Sequence, residues 1–311
     1  MPGINLDYIN RLALEDTLEL VRKSEEKYHA CVSDIAGKVC LDKNIKIVLL
    51  SGPSGSGKTT TANLLCDQIK LHGEECIVVS LDDFYRSFDD SEYPKAPDGS
   101  LDCESPFALD LSLLSNTLKN ISEGKDFVLP RYDFKTSRKV AERTHTAMPH
   151  GCVIIEGLHA INPLVFSSIP QERALKIFIS VSTNVNESGK RILSGRKIRF
   201  IRRMVRDSLY RNADAERTLK MWKNVLIGED EYLYPNRKNA DISLDTFHMF
   251  ELSVMRGFVE RLISEELAEA EPYAKAVLSA ARKVFPIDPQ LVPDDSLIRE
   301  FIPGGKYELL Y

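Results

Sequence analysis

The chain has no C-x-x-C pair, no internal repeat, no low-complexity tract, and no apolar run approaching the ~18 residues that span a bilayer. Each absence removes a class. Six scattered cysteines, Cys31, Cys40, Cys66, Cys76, Cys103 and Cys152, match neither a metal-ligand spacing nor a disulfide scaffold, and are expected as reduced thiols of a cytoplasmic protein. The opening MPGINLDYINRLALEDTLEL carries acids where a secretory leader needs a basic and then an apolar stretch. Excess positive charge is also missing: 41 basic against 46 acidic residues leave a net charge of -5, which argues against a general nucleic-acid coat and against attraction to an anionic membrane. Glycine (16) and proline (15) are both sparse in 311 residues, and 43% of the chain is hydrophobic, so disordered and fibrous classes are excluded as well.

What is present alternates between short buried strands and helices. IKIVLL (45–50), CIVVSL (76–81), CVIIEG (152–157), LKIFISV (175–181) and ADISL (240–244) are apolar runs too short for helices and rich in β-branched residues, as strands covered on both faces should be. Helical patterns between them imply a parallel α/β sheet. Residues 1–44 read as a helical N-terminal extension with Ile9, Leu14, Leu18 and Val21 on its apolar side. The α/β domain is expected over 45–249, and a helical C-terminal extension with a proline-rich tail over 250–311. Within the tail, the run Pro286 to Gly305 is expected to fold back on the site. A long polar stretch, 82–106, reads as a functional loop.

The chemistry begins at Gly52-Pro53-Ser54-Gly55-Ser56-Gly57-Lys58-Thr59, which fits G-x-x-x-x-G-K-[ST] without a mismatch, with a strand before it and a helix after. A triphosphate has to be held by many backbone N–H groups at once, and glycines let the chain curl that closely. Gly52, Ser54, Gly55, Ser56, Gly57, Lys58, Thr59 and Thr60 are therefore the expected ATP-binding set, with Lys58 on the β- and γ-phosphates and the Thr59 hydroxyl on Mg²⁺. The usual guanine-reading N-K-x-D is absent. Ser80-Leu81-Asp82-Asp83-Phe84-Tyr85 instead puts two carboxylates at the carboxyl edge of the second strand, where open α/β sheets bind ligands, and Asp82 is the better general base for an alcohol acceptor. Glu156 at the end of the third strand is placed to hold magnesium together with Thr59 and Asp82. The basic segment KRILSGRKIRFIRRMVRDSLYR (190–211), read as a helix from Lys197, sets Ile198, Ile201, Val205 and Leu209 against Arg199, Arg202, Arg203 and Arg206. A basic lid over about 188–228, closing on phosphates, is the preferred reading over a solvated helix.

GPSGSGKTT, LDDFY, ESPFALD, YDFKTSR, IIEGLHA and RRMVRD resemble, in this order, the uridine kinase family of P-loop kinases, kin to phosphoribulokinase and pantothenate kinase. The likeness covers about Ile45 to Leu244. It implies a P-loop NTPase fold with a five-stranded parallel sheet in the order 2-3-1-4-5, flanked by helices and a mobile lid, and the transfer of a phosphoryl group from ATP with Mg²⁺ to the 5′-hydroxyl of a pyrimidine nucleoside. On the same ground Asp82 is the catalytic base, Glu104 holds ribose hydroxyls, Tyr132 and Phe134 line the base pocket, and Arg203 and Arg206 reach substrate or phosphates. The expected catalytic residues are Asp82, Lys58, Arg203 and Arg206. The expected substrate contacts are Asp82, Tyr85, Glu104, Tyr132, Phe134, Arg138 and Arg203. Typical members carry a histidine shortly after YDF that reads the pyrimidine; here Lys135-Thr136-Ser137-Arg138 runs one residue shorter without it. A bacterial branch of nucleoside kinases shares the DDSLIREFI-like tail and often bears an N-terminal TGS domain, for which 44 leading residues are too few. The partners so implied are a small nucleoside and ATP, without nucleic acid or membrane, and with homo-oligomers left open. A kinase of another alcohol, such as a sugar phosphate or a pantothenate-like acceptor, and a nucleotide-sensing pseudo-kinase are the alternatives.

Overall fold

The computed structural model describes residues 3–96, 99–148 and 150–307. Its centre is an all-parallel sheet of β1 (Ile47–Ser51), β2 (Glu75–Ser80), β3 (Gly151–Glu156), β4 (Ala174–Ser180) and β5 (Ile242–Asp245), hydrogen-bonded in the order β2-β3-β1-β4-β5. Among the described residues five further strands lie outside this sheet, so numbering along the chain gives a different series; counted within the sheet, the order is the expected 2-3-1-4-5. All five strands lie within two residues of their sequence positions. β1 is buried at every residue, as a central parallel strand covered by helices on both faces must be. Successive side chains alternate between two cores. Val48, Leu50, Ile154, Ile177 and Ile179 enter one cluster, and Ile47, Leu49, Val153, Ile155 and Phe178 the other.

The first of these cores is covered by α1 (Leu6–Glu15), α2 (Thr17–Leu41) and α3 (Lys58–Leu71), the second by α4 (Leu111–Ser122). The leading helix is broken where the sequence pattern ran on. Asp16 leaves helical geometry, and its side chain accepts the Glu19 N–H at 3.0 Å, starting a second helix. Leu14 and Leu18, expected on the apolar stripe, flank this break and are 62% and 64% exposed, while Leu6, Ile9, Ala13, Leu20 and Val21 are buried. These helices are more than an appendage, since α2 packs along α3 and the buried Tyr28 hydroxyl meets Thr61 Oγ1 at 2.7 Å.

Two hairpins were not visible in the sequence. Phe127–Asp133 pairs antiparallel with Arg138–His145, whose exposed residues RKVAERTH carry no apolar run to betray a strand. Asn184–Glu187 pairs with Lys190–Leu193 through Ser188 (φ 49) and Gly189 (φ 77), two positive-φ positions as a tight hairpin turn requires, and Gly3–Asn5 adds a third, parallel strand. The segment 190–211 is thus strand and then helix: α5 (Gly195–Tyr210) starts after Ser194, whose hydroxyl accepts the Lys197 N–H at 3.4 Å. It is followed by α6 (Ala215–Gly228), α7 (Glu251–Leu262) and the short helices Glu265–Ala270 and Pro272–Ala281. Among the described residues beyond Val284, the tail contains only the 3₁₀ turns Pro289–Leu291 and Leu297–Glu300.

The expected lid is where the structure departs most from the sequence pattern. Every residue of α5 from Ile198 to Asp207 is buried, the arginines included, and Leu209, expected on the apolar side, is 41% exposed at the helix end. A helical wheel cannot show why: the acids that neutralise Arg199 and Arg202 are Glu229 and Glu251, beyond the helix on other elements.

Candidate active site

The phosphate-loop motif turns between the end of β1 and the start of α3. Gly55 (φ 72) and Gly57 (φ 89) stand in left-handed geometry, and a Cβ at Gly55 would lie 2.7 Å from the Arg199 carbonyl oxygen. The loop is fixed by α5. Arg199 donates to Ser54 O at 2.7 Å, Arg202 to Gly55 O at 3.3 Å and Ser56 O at 3.5 Å, and Arg203 to Ser54 Oγ at 2.8 Å. In a planar trans peptide the carbonyl and the following N–H point oppositely. With these carbonyls drawn toward arginines, the N–H groups of Gly55 and Gly57 face the other way, as a cradle for anions needs. Lys58 Nζ lies back over its own loop, 3.0 Å from Gly52 O and 3.4 Å from Pro53 O.

Each anchoring arginine has its acid. Arg199 makes a two-point pair with Glu229 at 2.6 and 2.7 Å, and the same carboxylate accepts the Ser54 N–H at 3.2 Å. Arg202 meets Glu251 at 2.6 and 3.1 Å and donates to Thr246 O at 2.6 Å. Arg203 and Arg206 share Asp207, at 3.2 and 2.8 Å, so both are oriented by one carboxylate of their own helix. Glu229, Glu251 and Asp207 were missed by the sequence reading. Only Asp207, within RRMVRD, carried a local signal.

Asp82 lies in the 3₁₀ turn Leu81–Phe84 at the carboxyl edge of β2, begun by Ser80 Oγ accepting the Asp82 N–H at 3.3 Å. Its side chain is open to solvent, yet desolvation by the surrounding protein raises its carboxyl above the ordinary 3.8, against the opposing pull of Lys58, Arg211 and Arg206. Its neighbour Asp83 does structural work instead, accepting the Tyr132 N–H at 3.2 Å. Glu156, at the end of β3 and 6% exposed, is pushed up to about 7 by burial and by the charge of Asp82, against the attraction of Lys58. Lys58, Asp82 and Glu156 therefore share one electrostatic neighbourhood at the strand ends. Two carboxylates of like charge in one neighbourhood are a donor set that suits Mg²⁺, which binds through few protein oxygens plus phosphate and water. Among the described residues no cluster of three or more His, Cys, Asp or Glu is arranged to hold a metal alone.

Glu156 allows a stability test. Its folded carboxyl, near 7, lies above the ordinary 4.5, so the folded state binds its proton more tightly and this contribution to stability fades as pH rises from about 4.5 through 7. Glu156→Gln is expected to raise the thermal midpoint at pH 8, by on the order of 3 kcal/mol in stability, with no gain at pH 4. Thermal unfolding without divalent ions, at both pH values, reads this directly; an equal change at the two would contradict it.

Glu104 is half-buried, and burial pushes it up to about 7, with Arg203 and Lys58 pulling down and Glu229 and Asp82 pushing up. It belongs to the same neighbourhood. His159, fully buried beside it, meets the Glu104 carbonyl through Nε2 at 3.0 Å; burial lowers the imidazole to about 4, so the ring is neutral and donates there. Sequence reading passed over His159, although it stands in the quoted IIEGLHA. The aromatics form a run: the rings of Tyr85 and Tyr132 are 5.9 Å apart and those of Tyr132 and Phe134 5.0 Å, with Tyr132 buried and Phe134 exposed. The Tyr85 hydroxyl donates to Cys103 O at 3.0 Å within the polar loop, of which residues 97 and 98 lie outside the described residues. Arg138 is placed apart, on the hairpin and ion-paired with Asp89 at 2.8 Å, both exposed. Of the remaining loop residues, Gly52 and Ser56 are buried, and Ser54 and Thr59 half-buried.

A three-layer α/β fold that presents a glycine loop, a lysine and an acid at the strand ends defines a P-loop phosphotransferase-type site. The sequence profile of the phosphoribulokinase/uridine kinase family matches residues 47–253, and the chain belongs to that family. Uridine-cytidine kinase B of Dictyostelium discoideum is 27% identical over 237 residues, covering 74% of this chain and 86% of that protein. Uridine kinase of Ureaplasma parvum is 29% identical over 199 residues, 64% of this chain and 86% of that one. Uridine-cytidine kinase-like 1 of mouse is 26% identical over 240 residues, 76% of this chain but only 40% of the mouse protein. A solved structure described as a possible uridine kinase from Bacillus stearothermophilus superposes loosely, with a TM-score of 0.39 at 18% identity over 65% of this chain and 89% of that one. No helix among the described residues is long and apolar enough to cross a membrane.

Proposed function

We propose that this chain is an ATP-dependent kinase that transfers the γ-phosphate to the 5′-hydroxyl of a nucleoside, uridine or cytidine, in pyrimidine salvage in the cytoplasm. The observation that carries the reading is the meeting of Lys58 of the phosphate loop with Asp82 and Glu156 at the sheet edge. In this mechanism Gly55 and Gly57 present amides to the phosphates, and Lys58 swings from the loop carbonyls to neutralise them. Thr59, Asp82 and Glu156 would hold Mg²⁺, which supplies positive charge against the phosphate oxygens. Asp82 orients the acceptor hydroxyl and takes its proton as the oxygen attacks the γ-phosphorus in line and ADP leaves. Arg203 and Arg206, held by Asp207, face charge developing on the transferred group. Glu104 accepts sugar hydroxyls, while Tyr85, Tyr132 and Phe134 offer faces on which a base stacks.

Lys58→Ala is expected to weaken ATP binding at least tenfold and to lower turnover as well, since one charge-assisted contact to phosphate contributes about 1.5–3 kcal/mol. Calorimetric titration with a non-hydrolysable ATP analogue, beside an assay of ADP release with uridine and cytidine, tests the reading. Unchanged binding in the variant would remove Lys58 from the nucleotide site.

A further inference from the structure

At the start of α3 the N–H groups have no intrahelical acceptor, and this is where a phosphate is held in a loop of this kind. The Thr60 N–H is already taken: Glu300 Oε2 accepts it at 3.0 Å, from the far end of the chain. Both residues are buried. Beside them Leu297 covers Gly57 so closely that a Cβ there would lie 2.6 Å from the leucine side chain. The tail is firmly seated. Ser296 Oγ donates to Glu25 Oε1 at 2.5 Å, Lys306 and the Tyr307 hydroxyl both reach Asp67 Oδ2 at 2.9 Å, and Leu297, Ile298, Phe301 and Ile302 are fully buried. A tail anchored at several buried points thus carries one carboxylate to the nucleotide loop.

We propose, resting on the nucleotide-binding reading above, that Glu300 is a phosphate surrogate that competes with the nucleotide's polyphosphate for the Thr60 amide and so sets nucleotide affinity. A carboxylate and a phosphate oxygen are both anionic acceptors; one N–H cannot serve both well, and their charges repel. Polyphosphate binding turns Glu300 aside while the apolar anchors of the tail stay in place. Glu300 therefore weakens the binding of phosphate-bearing ligands and leaves the base and sugar contacts alone.

The test titrates ATP, inorganic tripolyphosphate and adenosine calorimetrically against the full-length protein, Glu300→Gln and Glu300→Ala, with thermal unfolding of each free protein. Removing the competing charge is expected to tighten ATP and tripolyphosphate binding about tenfold or more and to leave adenosine unchanged. Glu300→Asp, which draws the charge back by one methylene, covers the case in which the neutral variants do not fold, and the same direction is expected. Polyphosphate binding equal to or weaker than wild type in a folded variant, or an equal gain for adenosine, overturns the inference while leaving the proposed function standing. Failure of wild type and all variants to bind ATP or tripolyphosphate overturns both.

Discussion

Asp82→Asn is expected to lower kcat about a hundredfold or more while ATP still binds. Positioned general-base catalysis contributes roughly 10² to 10⁴ in rate, and the asparagine keeps size and hydrogen-bonding reach but cannot accept the acceptor's proton. The loop that holds the nucleotide is anchored by Arg199, Arg202 and Arg203, none of which depends on Asp82, so the loss should fall on turnover rather than on nucleotide binding. Desolvation by the surrounding protein raises the Asp82 carboxyl above its ordinary value although its side chain reaches solvent, so the wild-type rate should rise with pH through that titration, and the asparagine variant should lack the same limb. Steady-state assays of both proteins across pH 4 to 8 read both effects. Full kcat in the variant would remove Asp82 from its role.

The second large effect concerns folding. Glu229→Ala is expected to destabilise the protein by about 3–5 kcal/mol, because it strands the Arg199 guanidinium in the core. Arg199 and Glu229 are 1% and 0% exposed at the side chain, and burial works against the arginine's charge unless Glu229 answers it. Domains are typically stable by only about 5–15 kcal/mol, so this is a large share. Urea unfolding gives the comparison, and Arg199→Met combined with Glu229→Ala should recover part of the loss because no charge is then left unpaired. A change below 1 kcal/mol in the single variant would contradict the picture. The same carboxylate accepts the Ser54 N–H, so a folded Glu229→Ala protein should also bind ATP differently from wild type.

The sheet was legible in the sequence because five apolar runs could be nothing but buried strands, and the loop because its glycines have one physical use. The order of the motifs likewise identified the family. What could not be read were partnerships between distant segments. Nothing local to Arg199 or Arg202 announces Glu229 or Glu251, so a buried, ion-paired helix read as a basic lid closing on phosphates. Ile9 and Val21 are buried as the stripe required, but Leu14 and Leu18 left it for a local reason, the break at Asp16, which a capping aspartate followed by Glu19 could have suggested. The tail's return to the loop was expected only in outline; that Glu300 reaches Thr60, across 240 residues, comes from the packing of Leu297, Ile298, Phe301 and Ile302 and from no motif.

The most direct measurement is ADP release from ATP and Mg²⁺ across an acceptor panel of uridine, cytidine, a sugar phosphate and pantothenate. The account predicts turnover with the pyrimidine nucleosides that Lys58→Ala and Asp82→Asn each suppress. Turnover with another acceptor alone, or ATP bound with no acceptor consumed, would contradict it.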